Sequence, residues 1–273
     1  MSRLSWLGFG GNPFTQTLEA QALANAPSPH ISWKQIQLQH PLGEGASGVI
    51  HQAVFQTDDA QQTVAIKLFK GAVTSDGPPD SEMAACMHAG AHPHLVSAMG
   101  RVTEHPQHLQ ALLMPLIAPT FGNLAGPPSL DTCTRDVYAA HARFDWPTTL
   151  SMAMGIASAT QHLHARGILH GDIYAHNILH TAKGDVLLSD FGAAALFDVN
   201  DTAVAQGLEK LEVRALGCLL EELATHCPAE PHSATKLEAL LQLATQCMSD
   251  QPAKRPSLAR ICARLEALCM PAT

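Results

Sequence analysis

The chain has 273 residues, 46% of them apolar, and a formal net charge of −8. That length admits one large domain or two lobes around a cleft, and the acidic balance disfavours nucleic acid and anionic membranes, which select basic surfaces. No stretch has the apolar length that spans a bilayer, and the N-terminus lacks the charged and apolar runs of a signal peptide, so the chain reads as cytoplasmic. Seven cysteines, an odd number without a CxxC pair, fit reduced thiols. Sixteen histidines include His92/His94 and His162/His164, but no HExxH or Cys/His finger spacing accompanies them. Composition explains them better than a metal site does.

The first thirty or so residues stand apart. Leu4, Leu7, Phe9, Asn12 and Phe14 follow the leucine-rich-repeat pattern L-x-x-L-x-L-x-x-N-x-L, with Phe at two Leu positions. One repeat cannot bury its own face, since such arrays need about three. Residues 1–14 therefore read either as the last rung of a solenoid encoded elsewhere or as an apolar leader that matches by chance. Ala26-Pro27-Ser28-Pro29 reads as a linker. Ile36, Leu38 and Leu42 then alternate, a glycine turn follows, and Val49 to Phe55 and residues 63–69 continue the β pattern. A polar stretch over 71–80 leads to a helical segment from Glu82 to His88, and strands are expected at 95–103 and 108–114.

After Pro119 the character changes. Residues 119–147 are irregular, and Pro147 opens a helix with Leu150, Met154, Ala157 and Leu163 at helical spacing. Residues 212–224 (EVRALGCLLEELA) are apolar on most faces, as a buried helix would be. Leu258, Ile261, Leu265 and Leu268 mark a last helix. The expectation is an α+β, bilobal chain: residues 1–33 as repeat remnant and linker, 34–117 as a small β-rich lobe, and 118–273 as a mainly helical lobe. The site should lie between the lobes.

Several motifs carry chemistry. Gly43-Glu44-Gly45-Ala46-Ser47-Gly48-Val49 is G-x-G-x-x-G-x-V, set between two strands rather than between a strand and a helix. That context favours a flap over nucleotide phosphates over a dinucleotide fingerprint. Val64-Ala65-Ile66-Lys67 follows on a strand, where Ala65 and Lys67 share a face. A lysine in an apolar strand needs an acidic partner, and Glu82 is the only acid in the following helix. His170-Gly171-Asp172-Ile173-Tyr174-Ala175-His176-Asn177 is similar to the catalytic loop H-R-D-L-x-x-x-N. Asp190-Phe191-Gly192 comes thirteen residues after Asn177, behind the apolar run Val186 to Leu188.

In this order, these motifs make residues 36–270 resemble the eukaryotic-like protein kinase superfamily. The resemblance implies a bilobal kinase fold, ATP and Mg²⁺ as substrate and cofactor, and a protein hydroxyl as acceptor, with Ser/Thr expected. It implies that Gly43, Gly45 and Gly48 cover the phosphates and that Lys67, held by Glu82, grips them. Asp172 would take the acceptor proton, and Asn177 and Asp190 would hold magnesium. Met114 falls at the gatekeeper and Pro115 to Ile117, with Leu116, at the hinge. Val49, Ala65 and Leu179 would sandwich adenine. Glu212 stands where the family has an Asp opening the buried helix, and Arg255 matches a second-lobe arginine. HGDIYAHN, EVRALGCLLEEL and the repeat-like leader together look like bacterial kinases that trail leucine-rich repeats, which implies a repeat segment or partner docking on the N-terminus.

The pattern also breaks. Gly171 replaces the arginine that in many family members clasps a phosphorylated activation loop. The segment from Asp190 to Glu212 is short, lacks A-P-E, and holds one hydroxyl residue, Thr202. Activity is therefore expected without activation-loop phosphorylation. Arg255 loses its usual partner, with Glu209 or Glu212 as substitutes. Tyr174 replaces the lysine of Ser/Thr kinases, and His176 stands where tyrosine kinases carry an arginine. A protonated His176 would help neutralise transition-state charge; the plain alternative is a packing histidine. Three rival readings stay open. H-G-D-x-x-x-x-N also resembles aminoglycoside and choline phosphotransferases, an ATP-binding pseudokinase fits the altered Gly171 and Tyr174 positions, and the plainest reading is a solenoid-tethered scaffold whose ATP site only stabilises the fold.

Overall fold

The computed structural model describes residues 13–25, 30–45, 47–71, 78–129, 135–231 and 233–269. The first lobe opens with α1 (Pro13–Asn25) and β1 (His30–Ser32). It continues with β2 (Ile36–Glu44), β3 (Gly48–Gln56), β4 (Gln61–Phe69), α2 (Pro79–Ala89), β5 (Gly100–Thr103) and β6 (Ala111–Pro115). The six strands form one sheet in the order β1-β5-β6-β4-β3-β2. Neighbours run antiparallel except for the parallel pair β1 and β5.

β4 shows why this sequence makes a central strand. Its apolar run sends alternate side chains to opposite faces, and both faces are covered. Val64 and Ile66 join a small core with Ile31, Ile36, Ala53, Val102, Ala111 and Leu113. Ala65 and Phe69 belong to the larger core that runs through α2 into the second lobe. Lys67 lies on the Ala65 side and so emerges between the sheet and α2. β2 is an edge strand: Ile36 is buried, but Leu38 and Leu42 are exposed.

The second lobe carries β7 (Gly122–Asn123), α3 (Trp146–Ala165), β8 (Ile168–Leu169), β9 (Ile178–His180), β10 (Val186–Leu188), β11 (Ala195–Leu196), α4 (Thr202–Thr225), α5 (Ala234–Cys247) and α6 (Leu258–Cys269). The Asp145 carboxylate caps α3 by accepting from the Thr148 N–H at 2.9 Å, and Pro147 sits in its first turn. β9 pairs with β10 and β7, and β11 pairs with β8. Close packing sets these helices in place. A Cβ on Gly155 of α3 would lie 2.5 Å from Val186 of β10, and one on Gly217 of α4 would lie 2.6 Å from Cys247 of α5.

Among the described residues no helix is long and apolar enough to cross a membrane. The expected strands and helices are present. The strand expected at 95–103 spans only Gly100–Thr103, β1, β7, β8, β9, β11, α1 and α5 are additional, and α4 starts ten residues before Glu212. The repeat-like pattern falls mostly outside the described residues, as does the 26–29 linker; its final Phe14 lies in the first turn of α1.

Candidate active site

Lys67 and Glu82 form an ion pair between β4 and α2, with residue exposures of only 9% and 5%. Burial pushes the Glu82 carboxyl above its ordinary value, and Asp190 adds to this, while Lys67 and Ser47 pull the other way. Asp190, in the second lobe, thus acts electrostatically on a carboxyl of the first. The Lys–Glu pair and the metal-site candidate therefore lie within electrostatic reach of each other.

The glycine-rich turn divides into two kinds of glycine. Gly48 is tightly packed, since a Cβ there would lie 2.5 Å from the Leu68 carbonyl oxygen. Gly43 and Gly45 have nothing within 4 Å of a would-be Cβ, and neither carries a positive φ. Neither packing nor backbone conformation therefore requires glycine at these two positions. A ligand lying close against the backbone, as phosphates do, would. The turn is pinned by the Gly45 N–H donating to the Gly48 carbonyl at 2.9 Å. Lys70 adds bonds to the Gly45 carbonyl at 3.0 Å and the Glu44 carboxylate at 2.7 Å.

Of the residues expected around adenine, Ala65 lies opposite Met114 in the β4–β6 register. Ala65, Met114 and Leu116 share one apolar cluster. Val49 on β3 and Leu179 on β9 remain half-buried, one in each lobe.

The His170–Asn177 loop is built on Glu212. This buried carboxylate accepts from the backbone N–H of His170 at 3.1 Å and of Gly171 at 2.8 Å, and pairs with the His164 ring at 2.6 Å. Burial alone would raise its pKa, but His164 and then the loop donors hold the carboxyl below its ordinary value. Gly171 has φ +81°, the left-handed region that favours glycine. The residue that breaks the arginine pattern thus fits the backbone path that presents its N–H to Glu212. The His170 ring bonds the Ser189 carbonyl at 3.0 Å through Nε2 and accepts from the Asp172 N–H through Nδ1.

Asp172 and Asn177 are joined directly. The Asn177 amide nitrogen donates to the Asp172 carboxylate at 2.8 Å and to the Asp172 carbonyl at 3.1 Å. Burial raises the Asp172 carboxyl above its ordinary value and Asp190 adds to it, while His170, Asn177 and His176 pull it down. A raised carboxyl is a better proton acceptor near neutral pH. With its nitrogen committed to Asp172, Asn177 keeps its amide oxygen for a cation. Asp190 has φ +56°, and its Oδ1 accepts the Gly192 N–H at 3.0 Å, which stabilises that unusual backbone. Among the described residues no three His, Cys, Asp or Glu gather as an ion site. One carboxylate and one amide oxygen suit a hard cation whose other ligands are phosphate oxygens and water.

His176 is held by a residue that the sequence did not flag. The Asp136 carboxylate accepts the His176 N–H at 2.8 Å and the ring Nδ1–H at 2.9 Å. That hydrogen bond, opposed by burial and aided by the charges of Asp136, Asp172 and Asp190, raises the His176 pKa. Asp136 and His176 are 40 residues apart, with no periodic pattern to connect them. His164, attributed above to composition, is a partner of Glu212.

One expected partnership takes another form. Glu212 is committed to the His170–Asn177 loop, and Glu209 accepts the Leu258 N–H at 2.7 Å. Arg255 donates to the carbonyls of Lys210 at 2.6 Å and Ser249 at 2.9 Å.

A family model, protein tyrosine and serine/threonine kinase, matches residues 36–227. The chain belongs to the protein kinase family. This kinase domain is 29% identical over 221 residues to tyrosine-protein kinase ABL2 of Mus musculus, covering 72% of the chain and 17% of that protein. It is 25% identical over 205 residues to fibroblast growth factor receptor 1 of Pleurodeles waltl, covering 70% of the chain and 25% of that protein. It is 30% identical over 164 residues to serine/threonine-protein kinase PknK of Mycobacterium tuberculosis, covering 59% and 13%. The chain spans a quarter or less of the length of these three relatives.

Proposed function

We propose that this kinase domain transfers the γ-phosphoryl group of ATP to a protein hydroxyl, with Ser or Thr as acceptor, in the cytoplasm. The observation that carries this is the buried Lys67–Glu82 pair together with the Asp172–Asn177 pair, with Asp190 acting electrostatically on a carboxyl of each. Gly43 and Gly45 let the backbone approach the phosphates, and Lys67, fixed by Glu82, grips them. Ala65, Met114 and Leu116, with Val49 and Leu179, enclose the adenine. Asp190 and Asn177 would hold Mg²⁺, which supplies charge neutralisation on the phosphates. Asp172 orients the acceptor hydroxyl and takes its proton. Catalysis rests on positioning and on charge placed in advance. Phosphoamino-acid analysis of the labelled product tests the acceptor: phosphoserine or phosphothreonine is expected, and phosphotyrosine overturns the assignment.

We also propose that activity needs no activation-loop phosphate. Thr202 is the first residue of α4, directly after its Asp201 cap, whose carboxylate accepts the Val204 N–H at 3.1 Å. An activity-dependent phosphate on Thr202 would overturn this. A small-molecule acceptor is the second reading, favoured by one observation: α4 starts at Thr202, which leaves only residues 193–201 after the Asp-Phe-Gly motif to seat a peptide. A panel of small hydroxylated acceptors beside a protein acceptor separates the two.

A further inference from the structure

The stretch from 135 to 138 has more fixed contacts than a surface connection needs. Arg135 bonds both Glu221 at 2.6 Å and Glu222 at 2.9 Å on α4, and also the Cys218 carbonyl at 3.3 Å. Val137 exchanges two backbone bonds with Gly126, at 2.9 and 3.0 Å. The Tyr138 hydroxyl reaches Glu222 at 3.2 Å, and its ring stacks on His226 at 4.2 Å. Between these anchors sits Asp136, whose side chain has no exposed surface.

A buried carboxylate loses its hydration and must be paired to persist. Here both of its oxygens are spent on one residue, His176: one on the backbone N–H and one on the ring. The backbone bond alone would tether the loop. The second bond does something further. A carboxylate can only accept, so the ring nitrogen facing it, Nδ1, carries a hydrogen, and the ring cannot rotate without losing that bond. Nε2 is then the one ring nitrogen that Asp136 does not hold. The ring keeps 23% side-chain exposure, lies 5.6 Å from the Tyr174 ring, and is next in sequence to Asn177.

We propose that Asp136 is a positioning residue for phosphoryl transfer, fixing the His176 ring so that Nε2 meets the acceptor at the transferring phosphoryl group. The inference rests on the kinase reading above and adds to it an acidic residue from outside every kinase motif in the chain. It is a role in turnover rather than in ATP binding, because neither Asp136 nor His176 is among the residues assigned above to the phosphates, the adenine or the magnesium ion.

The test is a double-mutant cycle on kcat and on KM for ATP, using Asp136→Asn and His176→Asn. The second change retains a donor near the Nδ1 position and removes Nε2. Each single variant is expected to lose about 10- to 100-fold in kcat with KM for ATP unchanged, the size of loss that a misplaced group produces. In the His176→Asn background, Asp136→Asn is expected to cost nothing more in kcat. Independent, multiplying losses would show that Asp136 serves folding alone and would overturn the inference. So would an equal loss in ATP affinity. Nitrogen-15 spectra of wild-type histidines give a check that needs no variant: His176 should be protonated at Nδ1 in a single ring state, and a ring averaging between orientations overturns the inference. A wild type with no transfer to any protein overturns the parent reading, whereas active wild type with additive variants overturns this inference alone.

Discussion

Replacing Lys67 by Met isolates what the buried ion pair contributes. Both partners are nearly inaccessible, so the variant leaves Glu82 inside the protein without its cation. Breaking a buried pair this way costs about 3–5 kcal/mol when the remaining charge persists. Glu82 has a way out. Its carboxyl already sits above its ordinary value, and Lys67 is the strongest influence opposing that rise. Without Lys67 the carboxyl takes up a proton more readily, which caps the cost. We expect about 2–3 kcal/mol at pH 8, a fall in Tm of about 5–10 °C for a domain of this size. The sign of the pH dependence follows from linkage. The folded variant binds the Glu82 proton more tightly than the unfolded chain, so its penalty is absent below the unfolded carboxylate range and grows as pH rises toward the raised folded value. Thermal melts of wild type and variant between pH 5 and pH 8 should therefore converge in acid. Lys67→Met/Glu82→Gln should recover most of the loss at pH 8. A deficit that stays constant with pH, or a double variant no better than the single, would refute the reasoning.

Other outcomes follow from individual contacts. Glu212→Gln keeps an acceptor for part of its donor set and should cost about 1–3 kcal/mol at neutral pH. Because the folded Glu212 carboxyl is lowered, its stabilisation is present above the unfolded carboxylate range and lost as pH falls through the lowered value. Acid melts of wild type should show that loss, and Glu212→Gln should not. Gly48→Ala drives a Cβ against the Leu68 carbonyl and should destabilise the fold by about 1–3 kcal/mol. Gly45→Ala meets no atom, so its melting point should hold while ATP affinity falls, as titration calorimetry would show. Thr202→Ala should leave the transfer rate unchanged.

What the sequence made legible was local. The Val-Ala-Ile-Lys strand carries its own alternation, so Lys67 could be placed on the Ala65 face before any contact was known. The glycine turn, the His170–Asn177 loop and Asp190 are likewise read from neighbouring residues. Ile36 to Leu42 misled in part, because alternation does not say which strand is an edge, and Leu38 and Leu42 lie exposed on β2. Glu212 was placed in the buried helix, but its hold on the His170 and Gly171 backbone needed three dimensions. Gly171 looked like a loss until its φ of +81° showed a conformation that suits glycine. Asp136 was illegible for the same reason: its meaning lies in a partner 40 residues away, reached through an irregular stretch. α1 lay beside a repeat-like pattern that drew the reading elsewhere.

The central claim is that this site moves a phosphoryl group and that Asp172 takes the acceptor proton. The direct measurement is transfer from γ-labelled ATP with Mg²⁺ to the protein itself and to a generic basic protein, wild type beside Asp172→Asn. Label on protein with wild type, falling by about 10²- to 10⁴-fold in the variant while both keep a thermal shift with ATP and Mg²⁺, is the predicted result. Equal labelling by the two proteins, or no label from a wild type that binds ATP, would contradict it.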